Sequence, residues 1–134
     1  MSDYNTKVIE DFRAHQGNVG GNFEGSPMLL LTTTGAKSGT PRTTPLVYLA
    51  DGDRYVIFAS KAGAPTNPDW YHNLRAHPRV TVEVGGETFQ ADASVADAEE
   101  RDGLFNRQVE VMPGFADYQR ATSRIIPAVI LTRV

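Results

Sequence analysis

The sequence predicts an α+β fold built on an antiparallel sheet of about six strands, and three observations support this. Short segments alternate apolar and polar residues, which is typical of half-buried strands; the clearest is RVTVEV at residues 79–84. Asp51-Gly52 and Gly85-Gly86 each separate two such segments and favour tight hairpin turns. Helical periodicity is confined to stretches between the strands. Periodicity alone leaves a barrel and a sandwich open, although closing a barrel removes exposed strand edges.

The elements follow in order along the chain. A helix is predicted over residues 3–15, where Val8, Ile9 and Phe12 share one face, and a glycine-rich loop over residues 16–27. Strands are predicted over residues 28–34, 42–49, 54–60, 79–84, 87–95 and 126–133. Further helices are predicted over residues 67–76, 97–112 and 113–122.

The helix over residues 67–76 has the clearest end signals. Asn67 is a favourable N-cap residue, and Pro68 suits the first helical position because its missing N–H needs no partner there. The helix must stop before Pro78, since a residue that precedes proline avoids the helical region.

Length and composition are those of one domain spanning residues 1–134. The chain has 134 residues, of which 40% are hydrophobic, a net charge of −3 and no cysteine. The acidic balance argues against a nucleic-acid partner, and the lack of cysteine excludes disulfides and thiolate metal sites. There is no apolar run of about 18 residues to span a membrane and no signal-peptide pattern, so we expect a cytoplasmic protein. Peripheral membrane contact and homodimer formation stay open.

The most informative segment reads TTTGAKSGTPRTTPL at residues 32–46. Gly35 and Gly39 would let the backbone approach a ligand closely. Lys37 and Arg42, beside several hydroxyls, form a pattern typical of an anion site. A basic hairpin tip in water explains the same spacing equally well. The segment is neither a Walker loop nor the start of a helix, as a dinucleotide fingerprint must be.

A second segment reads SKAGAPTNPDWYHNL at residues 60–74. A strand ends in Ser60-Lys61, and a loop then leads into the helix that carries Trp70, Asn73 and Leu74 on one face. Core packing explains Trp70 and Leu74 as well as a ligand site does. Asn73 is harder to explain as a core residue, because a buried amide must be hydrogen-bonded.

Together the segments resemble the deazaflavin-dependent nitroreductase family, which uses coenzyme F420, and especially its F420H2-dependent quinone reductases. The matching motifs are TTTGxKSG at 32–39, Arg42 with TPL at 44–46, SKxGA at 60–64, PxWYxNL at 68–74 and, more weakly, PGFxxY at 113–118. The resemblance extends from residue 8 to residue 130. It implies a split β-barrel and a reductase that transfers a hydride from reduced F420 to a small-molecule acceptor.

The resemblance also implies roles for individual residues. The tail of F420 carries a phosphate and several carboxylates, which Lys37, Arg42 and Lys61 would hold, with Ser38 assisting through its hydroxyl. The deazaflavin ring would be surrounded by Thr44, Pro45, Ser60, Trp70 and Asn73. Ala36 stands where family members often carry a second arginine, which leaves one tail contact open.

The substrate side departs from the nitro-reducing members of the family, which carry several tyrosines there. Val47 follows Pro45-Leu46, and Met112 and Phe115 occupy two of the aromatic positions, so only Tyr118 keeps its hydroxyl. Fewer hydroxyls mean fewer donors to an oxygen on which negative charge develops. We therefore expect a quinone-like or other flat acceptor. Tyr118 is the candidate catalytic residue, as proton donor or orienting group, and rim packing explains it equally well.

Two other functions stay open at this point. The barrel could bind flavin mononucleotide or haem instead, which the colour of the purified protein would reveal, or it could be a non-catalytic deazaflavin carrier. A metal site is not expected, because His15, His72 and His77 do not form a His-x-x-x-His pair.

Overall fold

A computed structural model describes residues 3–14 and 27–134 of the chain. Its seven strands are β1 (Met28–Thr34), β2 (Pro41–Val47), β3 (Leu49–Asp51), β4 (Arg54–Phe58), β5 (Arg79–Val84), β6 (Glu87–Val95) and β7 (Ala128–Arg133). Its helices are α1 (Asp3–Ala14), α2 (Asp69–Ala76), α3 (Ala98–Val111) and α4 (Gly114–Arg120), with a short 3₁₀ helix over Lys61–Gly63. None of these helices is long and apolar enough to cross a bilayer.

The strands form one antiparallel sheet that curls into a half-barrel. Their order is β2-β1-β5-β6-β7-β4-β3, so the two edge strands, β2 and β3, are consecutive in the chain with only Tyr48 between them. The sheet must therefore curl until the end of β2 lies next to the start of β3. This confirms the predicted α+β class and split β-barrel.

The strand predicted over residues 42–49 differs from the observed one. It bends at Tyr48, whose backbone N–H donates to the carbonyl of Pro27 at 3.0 Å. Before the bend the chain pairs with β1, and after it the chain pairs with β4. The bend gives seven strands in place of about six.

The barrel interior is filled from the sheet and from α2. Leu29, Leu31, Ile57 and Leu131 are buried there, and Trp70 and Leu74 of α2 pack into the same cluster. Burying an aliphatic or aromatic side chain of this size contributes about 1.5–3 kcal/mol each. Helix α2 is therefore fixed at the end of the barrel by its apolar face.

The outer faces of the sheet are covered by the other helices. The predicted apolar face of α1, Val8, Ile9 and Phe12, packs on Met28 and Leu30 of β1. Helices α3 and α4 cover the opposite side with Leu104, Phe105 and Phe115, against Val56, Phe58 and Ile130 of β4 and β7.

Both predicted hairpin turns are confirmed. Asp51 pairs with Arg54 across one turn, and Val84 pairs with Glu87 across the other. Helix α2 ends at Ala76, ahead of Pro78, as predicted.

Asn67 is not the N-cap of α2. Pro68 takes the capping position and the helix begins at Asp69, while the Asn67 side chain accepts a hydrogen bond from Nη1 of Arg124 at 2.8 Å. The side-chain oxygen of Asn67 binds Arg124 and therefore does not cap the helix. The other predicted element boundaries agree with the observed ones within two residues. The loop predicted over residues 16–27 lies, up to residue 26, outside the described residues.

Candidate functional site

The topology brings the two motif loops to the same end of the barrel. Five antiparallel ladders separate β2 from β4, so these strands run in opposite directions. The start of β2, near Arg42, therefore lies at the end where β4 finishes and leads into Ser60. Within the described strands β3 pairs with only residues 54–56 of β4, so the wall is open between β2 and the last part of β4.

The loop from Gly35 to Thr40 is a tight turn held by its own hydrogen bonds. The N–H of Gly35 donates to the carbonyl of Thr40 at 2.8 Å, and the N–H of Gly39 donates to the carbonyl of Gly35 at 2.9 Å. Gly39 has φ +72°, which a glycine adopts without strain. The hydroxyl of Ser38 is 2.8 Å from that of Thr40. The loop is thus a defined structure that presents Lys37 outward.

Asn73 ties this loop to helix α2. Its side chain is 7% exposed, and its Oδ1 accepts from the backbone N–H of Ala36 at 3.0 Å. Its Nδ2 donates to the hydroxyl of Thr33 at 3.3 Å. The partners that a buried amide requires are therefore supplied by β1 and the loop. Besides any contact with a ligand, Asn73 positions the residues around Lys37.

A cleft of about 600 Å³ opens between the loop and α2. It is lined by Gly35, Ala36, Lys37, Ser38, Arg42, Asp69, His72 and Asn73. Lys37 and Arg42 are exposed, and no described carboxylate lies within ion-pairing distance of either. Two such cations, next to the Ser38 hydroxyl, can bind an anion.

Asp69 and His72 are cleft residues that the sequence analysis did not single out. Asp69 lies three residues before His72 and four before Asn73 on α2, so helical spacing predicts that it is beside both. The Asp69 carboxylate would repel an anion bound in the cleft.

Thr44 and Pro45 lie on opposite faces of β2. Thr44 pairs with Leu31, which is in the barrel interior, and Pro45 pairs with Leu30, which is under α1. Residues that are directly opposite in an antiparallel pair share a face. Thr44 therefore lies on the interior face of β2, whereas Pro45 lies on the outer face. Arg42, two residues before Thr44, is on the same face as Thr44 but at the exposed end of the strand. Only the backbone of Pro45 is available to a ligand inside the barrel.

Ser60 and Lys61 do not line the cleft but begin a separate loop at this end of the barrel. Lys61 has φ +46°, an unusual conformation for a residue with a side chain, and its Nζ donates to the hydroxyl of Thr66 at 3.4 Å. Gly63 follows with φ +82° and lies against α4.

Arg124 fixes this loop through three hydrogen bonds, a role that was not predicted from the sequence. Its guanidinium donates to the carbonyl of Ser60 at 2.9 Å, the carbonyl of Ala64 at 3.0 Å and Oδ1 of Asn67 at 2.8 Å. Burial lowers the pKa of Arg124, because the charge loses water. No local sequence signal marks such a residue, since two of its three partners are backbone oxygens.

Trp70 and Tyr118 lie away from the cleft lining. Trp70 is 6% exposed and forms part of the barrel interior. Tyr118 is half-buried on α4, where its ring lies edge-on to Phe115 with the centroids 5.2 Å apart. Phe115 itself is buried in the cluster under α3 and α4.

Comparison with known proteins identifies the family. Residues 5–133 match the family described as F420H(2)-dependent quinone reductase. The chain is 43% identical over 128 residues to the F420H(2)-dependent quinone reductase Rv1261c of Mycobacterium tuberculosis, covering 91% of this chain and 85% of that protein.

Solved structures agree with the sequence match. An F420-H2 dependent reductase (FDR-A) superposes with a TM-score of 0.72 at 40% identity, covering 78% of this chain and 93% of that one. A structure titled domain-swapped dimer has a TM-score of 0.74 at 36% identity, covering 96% and 94%. The resemblance found in the motifs is thereby confirmed: the chain belongs to the F420H(2)-dependent quinone reductase family.

Proposed function

We propose that this protein transfers a hydride from reduced F420 to a quinone, with the anionic tail of the cofactor held in the cleft of Lys37 and Arg42. Membership of the family makes the chain an F420H2-dependent reductase and favours F420 over the flavin, haem and carrier alternatives. The observation that supports the placement most strongly is the cleft itself, where two exposed cations have no carboxylate of the described residues within ion-pairing distance.

The donors around the cleft suit a polyanionic tail. Arg42 can bind a phosphate or carboxylate through two parallel N–H groups, whereas Lys37 acts as a point charge. Ser38 adds a hydroxyl, and the turn is already formed by its own hydrogen bonds, so little ordering accompanies binding. Lys61, on the loop at the same barrel end, would bind a further part of the tail.

The ring would lie where the barrel wall is open between β2 and β4. Thr44 lies on the interior face of β2 and Ser60 follows the end of β4. With these residues, Trp70 and Asn73 of α2 would surround the ring, as the resemblance implies. The bound deazaflavin supplies two electrons together as hydride. The protein's own part is to orient the ring and the acceptor and to exclude water.

Reduction of a quinone to the hydroquinone consumes the hydride and one proton. Tyr118 is the residue that we propose as the proton donor or orienting group for the quinone oxygen. Met112 and Tyr118 are half-buried, and both pack against the apolar cluster under α3 and α4. An acceptor bound there would therefore contact an apolar surface.

The experiment that tests cofactor choice is a fluorescence titration. F420 is expected to bind with micromolar or better affinity, and nicotinamides are expected not to bind, because the chain has no dinucleotide fingerprint. Tighter binding of flavin mononucleotide than of F420 would contradict the proposal.

Tyr118→Phe is expected to lower turnover about 10-fold or more while F420 affinity stays nearly unchanged. The reason is that the hydroxyl would stabilise charge on the acceptor only as hydride arrives. Measuring the F420 dissociation constant and kcat for this one variant tests both parts. Full activity would reduce Tyr118 to a packing residue, and lost F420 affinity would mean that α4 contacts the cofactor.

Asn73→Leu is expected to weaken F420 binding about 10-fold, because the N–H of Ala36 and the hydroxyl of Thr33 lose their partner and the loop loses its anchor. Asn73→Asp offers a matched comparison. Its carboxylate still accepts from the N–H of Ala36, and the Thr33 hydroxyl, which accepts from Asn73 in the parent, can rotate to donate to it. The added negative charge repels the tail, so F420 affinity should fall less steeply with rising salt in Asn73→Asp than in Asn73→Leu. Unchanged affinity in both variants would show that the loop position does not depend on Asn73.

We also propose a cellular location and an oligomeric state for the protein. We expect one domain over residues 1–134 in the cytoplasm. Quinones are often lipid-soluble, so peripheral contact with a membrane would give access to the acceptor. A homodimer is supported by the structural neighbour titled domain-swapped dimer.

A further inference from the structure

We infer that Arg124 is a positioning residue for cofactor binding: it fixes the loop from Ser60 to Asn67, and with it Lys61, in the arrangement that receives the anionic tail of F420. This inference rests on the proposed function, because it assumes that Lys61 contacts the tail.

The contacts of Arg124 span the whole loop. The guanidinium bonds the first residue, Ser60, then Ala64, and finally the side chain of Asn67, at distances of 2.8–3.0 Å. One planar group thus sets the spacing between both ends of the loop and its middle. A shorter or more flexible side chain could not reach all three oxygens with one geometry.

Arg124 is itself held firmly. Its carbonyl accepts from Nε2 of Gln119 at 2.7 Å, and Oε1 of the same glutamine accepts from the N–H of Ile126 at 3.0 Å. Arg101 of α3 donates to the carbonyl of Ile126 at 2.8 Å and to Oε1 of Gln119 at 2.5 Å. Side chains of α3 and α4 therefore fix the backbone at Arg124 and Ile126, and the guanidinium of Arg124 in turn fixes the loop.

The charge of Arg124 suits a loop that binds an anion, in addition to the contacts that fix the loop. All three acceptors are neutral, and no carboxylate in residues 3–14 or 27–134 lies within ion-pairing distance of it. Within the described residues no carboxylate therefore compensates this positive charge, which lies next to the carbonyl of Ser60. An anion bound to this loop would compensate it. Lys61 also keeps a backbone with φ +46°, and such strain persists only where the surroundings hold it in place.

Arg107 provides a matched control. It also donates to a backbone carbonyl, that of Ala50 at 3.0 Å, and to a side chain, Oδ1 of Asp51 at 2.8 Å. These contacts lie at the β3–β4 hairpin, at the opposite end of β4 from Ser60. Arg107→Gln therefore removes a comparable set of contacts away from the loop.

The test compares Arg124→Gln with Arg107→Gln by F420 titration and by amide hydrogen exchange of the cofactor-free proteins. Arg124→Gln is expected to bind F420 about 10-fold more weakly and to show faster exchange at Gly63 and Ala64, whose N–H groups close the turn of the loop. Arg107→Gln is expected to stay within about twofold of the parent in both readouts. Asn67→Ala, which removes only the third acceptor, should show a smaller change of the same kind and serves if Arg124→Gln does not fold.

The outcomes separate this inference from the function on which it rests. Equal F420 affinity in Arg124→Gln and Arg107→Gln, with the parent binding well, would overturn the inference and leave the function standing. Unchanged exchange at Gly63 and Ala64 would overturn it too. If the parent does not bind F420, the proposed function fails and this inference fails with it.

Discussion

Replacing both Lys37 and Arg42 by alanine is expected to weaken F420 binding by about 100-fold or more. Each cation would make charge-assisted contacts with the tail, and each such contact contributes roughly 1–3 kcal/mol. The single variants should therefore each show part of the loss. F420 affinity of the parent should also fall as salt rises, because the tail is polyanionic, and this dependence should be weaker in the double variant. Fluorescence titration at two ionic strengths measures both effects.

The control for this prediction removes two positive charges elsewhere. Lys7 is exposed on α1, and Arg133 is exposed at the end of β7. A Lys7→Ala, Arg133→Ala double variant changes the net charge equally but leaves the cleft intact, so F420 affinity should change little. Equal losses in the two double variants would mean that general attraction, not the cleft, binds the cofactor. Parent-like affinity in the cleft variant would leave the loop as a solvated hairpin.

Gly63→Ala is expected to lower the free energy of unfolding by about 2–4 kcal/mol. A Cβ at this position would lie 2.7 Å from Cβ of Ala121 and 2.9 Å from the carbonyl oxygen of Tyr118, so helix α4 would have to move. The backbone also has φ +82°, where a side chain adds roughly 1–2 kcal/mol of strain. Urea unfolding measures the loss, and F420 titration should show weaker binding because the loop that carries Lys61 is displaced.

Gly103→Ala is the matched control for Gly63→Ala. Gly103 lies in α3 with open space where its Cβ would be, so alanine should stabilise the protein by about 0.5–1 kcal/mol through helix propensity. Two glycine-to-alanine changes are thus expected to have opposite signs. A loss below about 1 kcal/mol for Gly63→Ala would show that α4 does not pack closely on the 3₁₀ helix.

Local patterns in the sequence were enough to predict most of the fold. Hairpin dipeptides and the apolar faces of α1 and α2 depend on neighbours within a few residues, and these predictions agree with the structure. The bend at Tyr48 has no such signal. It arises because the chain must leave β1 and join β4 to close the barrel, which depends on strands far apart in sequence.

The site was predictable where its residues are close in sequence. Lys37 and Ser38 in the turn and Arg42 at the start of β2 are neighbours in sequence, and they share one cleft with Asn73. Thr44 and Pro45 were grouped by the resemblance, although the two-residue period of a strand already places them on opposite faces.

Arg124 could not be predicted from the sequence in the same way. It lies 64 residues from Ser60, and what it recognises is the position of backbone carbonyls, which is set only when α4 packs on the loop. The N-cap role predicted for Asn67 was wrong for the same reason, because the distant arginine binds its side chain.

We expect the cleft of Lys37 and Arg42 to hold reduced F420 while its hydride passes to a quinone. The most direct measurement is the steady-state oxidation of reduced F420 by a water-soluble naphthoquinone, followed by the returning absorbance of the oxidised deazaflavin, in the parent and in the cleft double variant. Turnover is expected in the parent, and in the variant the KM for reduced F420 is expected to rise about 100-fold while kcat changes little. Absence of turnover in the parent, or an unchanged KM in the variant, would contradict this expectation.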